Sequence, residues 1–277
     1  METNRETNET EALRFGVGAV LGRTFSTLFR GFGVFLSLSF IAALVVGVIG
    51  YLLSGIVRWR FLKWTIGLSV GLLIQGAVAF GVFQILTGGA ASLGDSLSHG
   101  RKRIFSLAGT SLLASLCPFM LIPLVHVISG LNVFYSDGSR ALLETRGGEA
   151  LLWIIAAALG LLVMELLCMW SVALPTCAVE RLGPMESVKR SARLTSGHHL
   201  KIYGLALLAF IIIRILGWII SFVTAGLFRS AVFVALGAAV VRIFSQAFAN
   251  VMIAVAYYDL RAAKEGVSIE SLPNAFD

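Results

Sequence analysis

The chain has 277 residues, of which 57% are hydrophobic and 13% charged, with a net charge of +7. A soluble domain carries about 25% charged residues, so this composition cannot clothe a soluble protein of such length in polar surface. The basic balance would raise nucleic acid as a partner for a soluble chain; here the basic residues lie in short segments between apolar runs, which points to anionic lipid headgroups and away from nucleic acid.

Residues 1–12 are polar and partly acidic. They lack the basic start, short apolar core and small-residue cleavage site of a signal peptide, so they are expected to remain as a partly disordered tail. Residues 13–262 read as the transmembrane domain and 263–277 as a C-terminal tail.

The segment before the first apolar run predicts an amphipathic helix, with Leu21, Phe25, Leu28, Phe29 and Phe32 on one face and Arg23, Ser26, Thr27 and Arg30 on another. About 20 apolar residues cross a bilayer, and six stretches qualify: 31–57, 63–86, 104–131, 150–179, 201–225 and 230–258. The runs are continuous, not alternating, so they predict helices and not barrel strands. Between the second and third stretch, Ser92 and Asp95 suggest a capping box, with Leu93, Leu97 and Ile104 on one face of a helix and His99 and Lys102 opposite. After the fourth stretch, Gly183-Pro184 opens a third such helix, Glu186, Lys189, Arg190 and Arg193 form its polar face, and Gly197 ends it. These helices are expected in the inner headgroup layer, with Arg23, Arg30, Arg101, Lys102, Arg103, Lys189, Arg190 and Arg193 touching anionic headgroups.

The unit of one amphipathic helix and one hairpin of spans occurs three times, which suggests a three-fold internal repeat. Each even span leaves the membrane at a polar residue: Gln84, Glu180 and Asp259. The segments on the amphipathic-helix side hold about 14 Lys and Arg against about six on the other side, so both termini are expected in the cytoplasm, across a cell inner (plasma) membrane. The segment 132–149 is then the sizeable external loop.

Three elements carry a family resemblance: Gly22-Arg-Thr-Phe-Ser-Thr-Leu-Phe-Arg30, Glu180-Arg-Leu-Gly-Pro with Lys189-Arg-Ser-Ala-Arg-Leu-Thr-Ser-Gly-His198, and Tyr257-Tyr-Asp-Leu-Arg261. Together they resemble a family of uncharacterised bacterial six-span proteins, similar to the membrane domain attached to some glycerophosphoryl diester phosphodiesterases. The resemblance implies a membrane domain and transfers no catalytic residue, since the soluble phosphodiesterase barrel has no counterpart in this chain.

Ionisable residues inside apolar runs are costly and mark interior or water-facing positions. Glu165, Arg214 and Arg242 lie near the middles of spans four, five and six, roughly 22 Å (Glu165) and 18 Å (both arginines) from the outer boundary at 1.5 Å per residue. The three are expected to meet. One outcome is an ion-paired triad that holds the spans together; the other is a cationic cavity for an anionic ligand such as a lipid headgroup. Gln75, Gln84, Gln246 and Asn250 are expected to bond across helices, and Gly67, Gly71, Gly76 and Gly81 to form a low-volume face. Pro118, Pro123 and Pro175 are expected to kink their helices.

His126 reads as an interfacial polar residue, and His198-His199 as a solvated or headgroup-contacting pair. Cys117, Cys168 and Cys177 fit neither a disulfide framework nor a metal pattern. No phosphate loop, dinucleotide fingerprint, zinc spacing or nucleophile triad is present. The expectation is an all-α, polytopic membrane helix bundle without cofactor or metal. It would serve as a non-enzymatic scaffold or partner of an envelope process, with the bilayer, its headgroups and a membrane protein as partners. A transporter or lipid-handling protein is the alternative, and a membrane-embedded enzyme a third.

Overall fold

The computed structural model describes residues 15–52, 74–102, 104–119, 146–228 and 230–266. Among them the structure is helical and contains no strand. The helices are α1 (Val17–Arg30), α2 (Phe32–Leu52), α3 (Ile74–Leu86), α4 (Leu93–Lys102), α5 (Ile104–Phe119), α6 (Arg146–Trp170), α7 (Ala173–Glu180), α8 (Pro184–Thr195), α9 (His199–Phe228) and α10 (Ala231–Glu265).

Among the described residues, four helical segments are long and apolar enough to cross a membrane: Phe32–Leu52, Ala157–Glu180, His199–Thr224 and Val232–Glu265. The second and third predicted stretches contribute shorter apolar pieces, Ile74–Leu86 and Phe105–Ala114. Residues 63–73 and 120–131 of those stretches, with Gly67, Gly71, Pro123 and His126, lie outside the described residues, as do Arg103, the tail 1–12 and most of the loop 132–149; Pro118 falls within the last turn of α5.

Local chemistry sets the helix ends. α1 starts after Gly16, whose backbone is extended, and stops at Gly31, whose N–H still reaches Thr27 O at 3.0 Å. α8 starts with Pro184 at its first position, where the missing N–H costs nothing. The predicted kink at Pro175 is a full break, and it falls at Ser171–Val172. Pro175 cannot donate to the carbonyl four residues earlier, that of Ser171, and its ring crowds that carbonyl. The chain turns there: Ser171 N–H and Oγ both donate to Cys168 O, at 3.2 and 2.7 Å, and α7 begins afresh.

α10 is the hub, packing against α1, α2, α7, α8 and α9. α1 lies across one end of the bundle as a strap. Its start meets α9, where Lys201 Nζ donates to Phe15 O at 2.9 Å. Its middle crosses α10, where the rings of Phe25 and Phe248 lie 5.3 Å apart. Its end, Gly31, sits so close to α3 that a Cβ there would meet Ile85 Cδ1 at 2.7 Å. Large buried side chains, among them Phe35, Leu38, Val82, Leu107, Phe248, Tyr257, Tyr258 and Leu260, gather toward this strapped end.

Toward the other end, α9 and α10 keep touching through small residues: a Cβ on Gly237 would meet Thr224 Cγ2 at 2.7 Å. The outward faces of this hairpin are apolar and exposed, with Trp218 and Phe222 each at 70%. Water tolerates no such continuous apolar surface, whereas acyl chains do.

The amphipathic helices turn small hydroxyl residues toward the bundle. α1 buries Val20, Leu21, Thr24, Thr27 and Leu28, while Phe29 and Phe32 are exposed. α4 buries Ser96 and exposes Leu97. α8 buries Ser187, Ser191, Leu194 and Thr195. The small hydroxyl residues can face inward because carbonyls accept from them: Thr24 Oγ1 donates to Val20 O at 2.7 Å, Ser187 Oγ to Gly183 O at 2.8 Å, and Ser191 Oγ to Met169 O of α6 at 2.6 Å.

Candidate functional site

The densest polar chemistry sits at the strapped end, where α10 runs through Tyr257-Tyr258-Asp259-Leu260-Arg261. Asp259 is almost fully buried and is ion-paired with Arg23 of α1. Tyr257 Oη donates to Glu180 Oε1 at 2.9 Å, and Arg190 Nε of α8 donates to Glu180 Oε2 at 2.9 Å. Arg190 also pairs with Glu265, which accepts from Arg261 Nε at 2.8 Å. The chain Tyr257–Glu180–Arg190–Glu265–Arg261 thus joins α7, α8 and α10. Partial burial works against the Arg190 charge, but the hydrogen bonds and charges of Glu180 and Glu265 outweigh it and raise its pKa.

Gln84, Glu180 and Asp259, each at or within two turns of the end of α3, α7 and α10, hold one amphipathic helix apiece. Gln84 Oε1 accepts from Ser92 N–H, at the start of α4, at 3.1 Å. Glu180 holds Arg190 of α8, and Asp259 holds Arg23 of α1. At α4 only half of the predicted capping box forms: Ser92 Oγ accepts from Asp95 N–H at 3.3 Å, and Gln84, not Asp95, takes the Ser92 N–H.

A second cluster joins α6 to the start of α9. Tyr203 Oη donates to Glu165 Oε2 at 2.8 Å, and His199 Nδ1 faces Glu165 Oε1. Cys168, one turn from Glu165, is buried. His198 turns the other way, its ring edge-on to Phe15 at 5.6 Å; burial, with the neighbouring charges of Lys201, Lys264 and His199, pushes its pKa down.

The expected triad does not assemble. Glu165 is engaged by His199 and Tyr203. Arg214 is exposed and lies over the ring of Phe210, 6.0 Å from its centroid. Arg242 is exposed as well and lines a cleft between α2 and α10 with Ser39, Ala42 and Gln246. Among the described residues no carboxylate lies within ion-pair distance of either arginine. Glu165 meets the first turns of α9, at His199 and Tyr203, roughly 17–22 Å along that helix from Arg214, so counting residues from the outer boundary put it at the wrong level.

Of the residues expected at headgroups, Arg30, Lys189 and Arg193 are exposed. Arg23 and Arg190 are instead spent on ion pairs inside the bundle. Arg101 and Lys102 lie on α4 without described side chains, and Arg103 lies outside the described residues. Gln246 Nε2 donates within its own helix, to Asn250 Oδ1 at 3.2 Å, and not across helices. Cys168 and Cys177 are free and buried. Among the described residues no three His, Cys, Asp or Glu side chains are grouped to hold a metal ion.

Sequence reasoning missed the partners of Asp259 and Glu180, although it singled out both positions; their acidic character at a helix exit was the available signal. No protein-family model, curated protein or solved structure matches the chain.

Proposed function

We propose that this chain is a multi-pass inner-membrane protein of six transmembrane helices, with both termini cytoplasmic, that acts as a non-enzymatic scaffold or partner in an envelope process. The likeness to the six-span bacterial family, and the three-fold repeat of amphipathic helix and hairpin, belong to the same proposal.

The observation that carries it is the closed polar network at the strapped end. Its acids and bases are consumed by one another and tie α1, α7, α8 and α10 into one platform. Groups so satisfied hold a shape and are not free to bind a substrate. The repeat is supported by Gln84, Glu180 and Asp259, each of which holds one amphipathic helix. The lipid-handling alternative requires space for a headgroup, whereas the Arg242 cleft measures about 40 Å³, against roughly 300 Å³ or more for small-molecule sites.

The test is native mass spectrometry of the full chain released from its own membrane with lipids retained. A stoichiometric protein partner that persists in Arg242→Gln is the expected result. Solute flux in reconstituted vesicles, abolished by Arg242→Gln with folding intact, would overturn the reading.

A further inference from the structure

Arg242 poses a charge problem that the described fold leaves unsolved. It stands eleven residues along α10, roughly 17 Å from the start of the helix, and no carboxylate among the described residues pairs with it. A bare guanidinium within hydrocarbon costs several kcal/mol. An extended arginine spans less than half of that depth, so it does not reach the lipid phosphates at that face.

The cleft beside it sets two polar side chains, Ser39 and Gln246, among the apolar Ala42, Ala43, Val46 and Ile243. Ser39 of α2 lines it, is fully buried, and its Oγ has no hydrogen-bond partner among the described residues. Gln246 lines it one turn from Arg242 and uses one amide hydrogen on Asn250, which leaves a second to donate. A cation with two neutral donors and no acid is the chemistry of an anion site. Its volume is about 40 Å³. Roughly 10–15 Å³ on this measure holds one water molecule, so the cleft admits a monatomic ion.

We propose that the cleft between α2 and α10 binds a small inorganic anion of halide size, held by the Arg242 guanidinium, the Ser39 hydroxyl and the Gln246 amide. The anion neutralises Arg242 and bridges α2 to α10, so its occupancy fastens the two helices. This site does not depend on the scaffold reading; either stands if the other fails.

The experiment follows thermal unfolding of the full chain in phosphatidylcholine nanodiscs at constant ionic strength, as chloride or bromide replaces gluconate. Wild type is expected to show a saturable rise in Tm. Ser39→Ala is expected to weaken the apparent halide affinity about tenfold, the worth of one hydrogen bond to a charged group. Arg242→Gln is expected to abolish the response, and Lys189→Gln, at an exposed end position, to keep it. The proposal is overturned if wild type shows no halide response. An undiminished response in Ser39→Ala overturns it too, and that variant keeps the test decisive should Arg242→Gln not fold. A response seen only when phosphatidylglycerol is added, whatever the salt, assigns Arg242 to lipid phosphate and also overturns it.

Discussion

At the scale of single residues, the decisive positions are acids near helix ends. Asp259 is buried while its partner Arg23 is about one-third exposed, with side-chain exposures of 5% and 37%. Removing one member of a fully buried pair costs about 3–5 kcal/mol. The partial exposure of Arg23 places Asp259→Asn nearer 2 kcal/mol, on the same scale. Arg23→Gln should cost more, because it strands a buried carboxylate. A double-mutant cycle by denaturant titration in mixed micelles should show a strongly non-additive coupling; strict additivity would mean that the pair contributes nothing. The importance of Asp259 was legible as an acid where a span ends. Its partner was not, because Arg23 lies 236 residues away and only the folded strap brings it near. Glu165, Arg214 and Arg242 show the converse. Their unusual placement in apolar runs was plain, but a residue count from the outer boundary does not fix depth: Glu165 meets the start of α9, three to four turns before Arg214.

At the scale of elements, the helices themselves were largely written in the apolar periodicity and in the Gly and Pro that interrupt it. Their inward faces were not. Phe29 and Leu97, on the predicted apolar faces, are exposed, and the small residues Thr24, Ser187 and Ser191 take the interior. Small hydroxyl side chains allow close helix approach, and their hydroxyls are satisfied by nearby carbonyls. Close packing is visible at Gly109, where a Cβ would meet Pro184 Cγ at 2.7 Å. Gly109→Val should therefore lever α8 from α5 and destabilise the fold by about 1–3 kcal/mol. The turn after α7 offers the opposite effect. Arg181 is exposed and adopts φ 58°, a left-handed conformation that costs a side-chain-bearing residue about 1 kcal/mol. Arg181→Gly should raise the unfolding free energy by up to about that amount, and an unchanged or lower denaturation midpoint would refute the strain.

At the scale of the whole molecule, the described chain runs back and forth from one strapped end. Leu52 and Ser230 lie toward the far end, and Ser26 and Ser196 near the strap. In a cysteine-free background, Leu52→Cys and Ser230→Cys should react with an impermeant maleimide in right-side-out vesicles. Ser26→Cys and Ser196→Cys should react only in inverted ones; the reverse pattern would overturn the proposed orientation. The sequence by itself determined that this is an all-helical chain with helices long and apolar enough to cross a bilayer, because hydrophobic length and helix punctuation are local properties of the chain. Only the tertiary structure decided which charges meet. Ion pairing depends on helix rotation and on which helices are neighbours, and those are set by packing among residues scores or hundreds of positions apart.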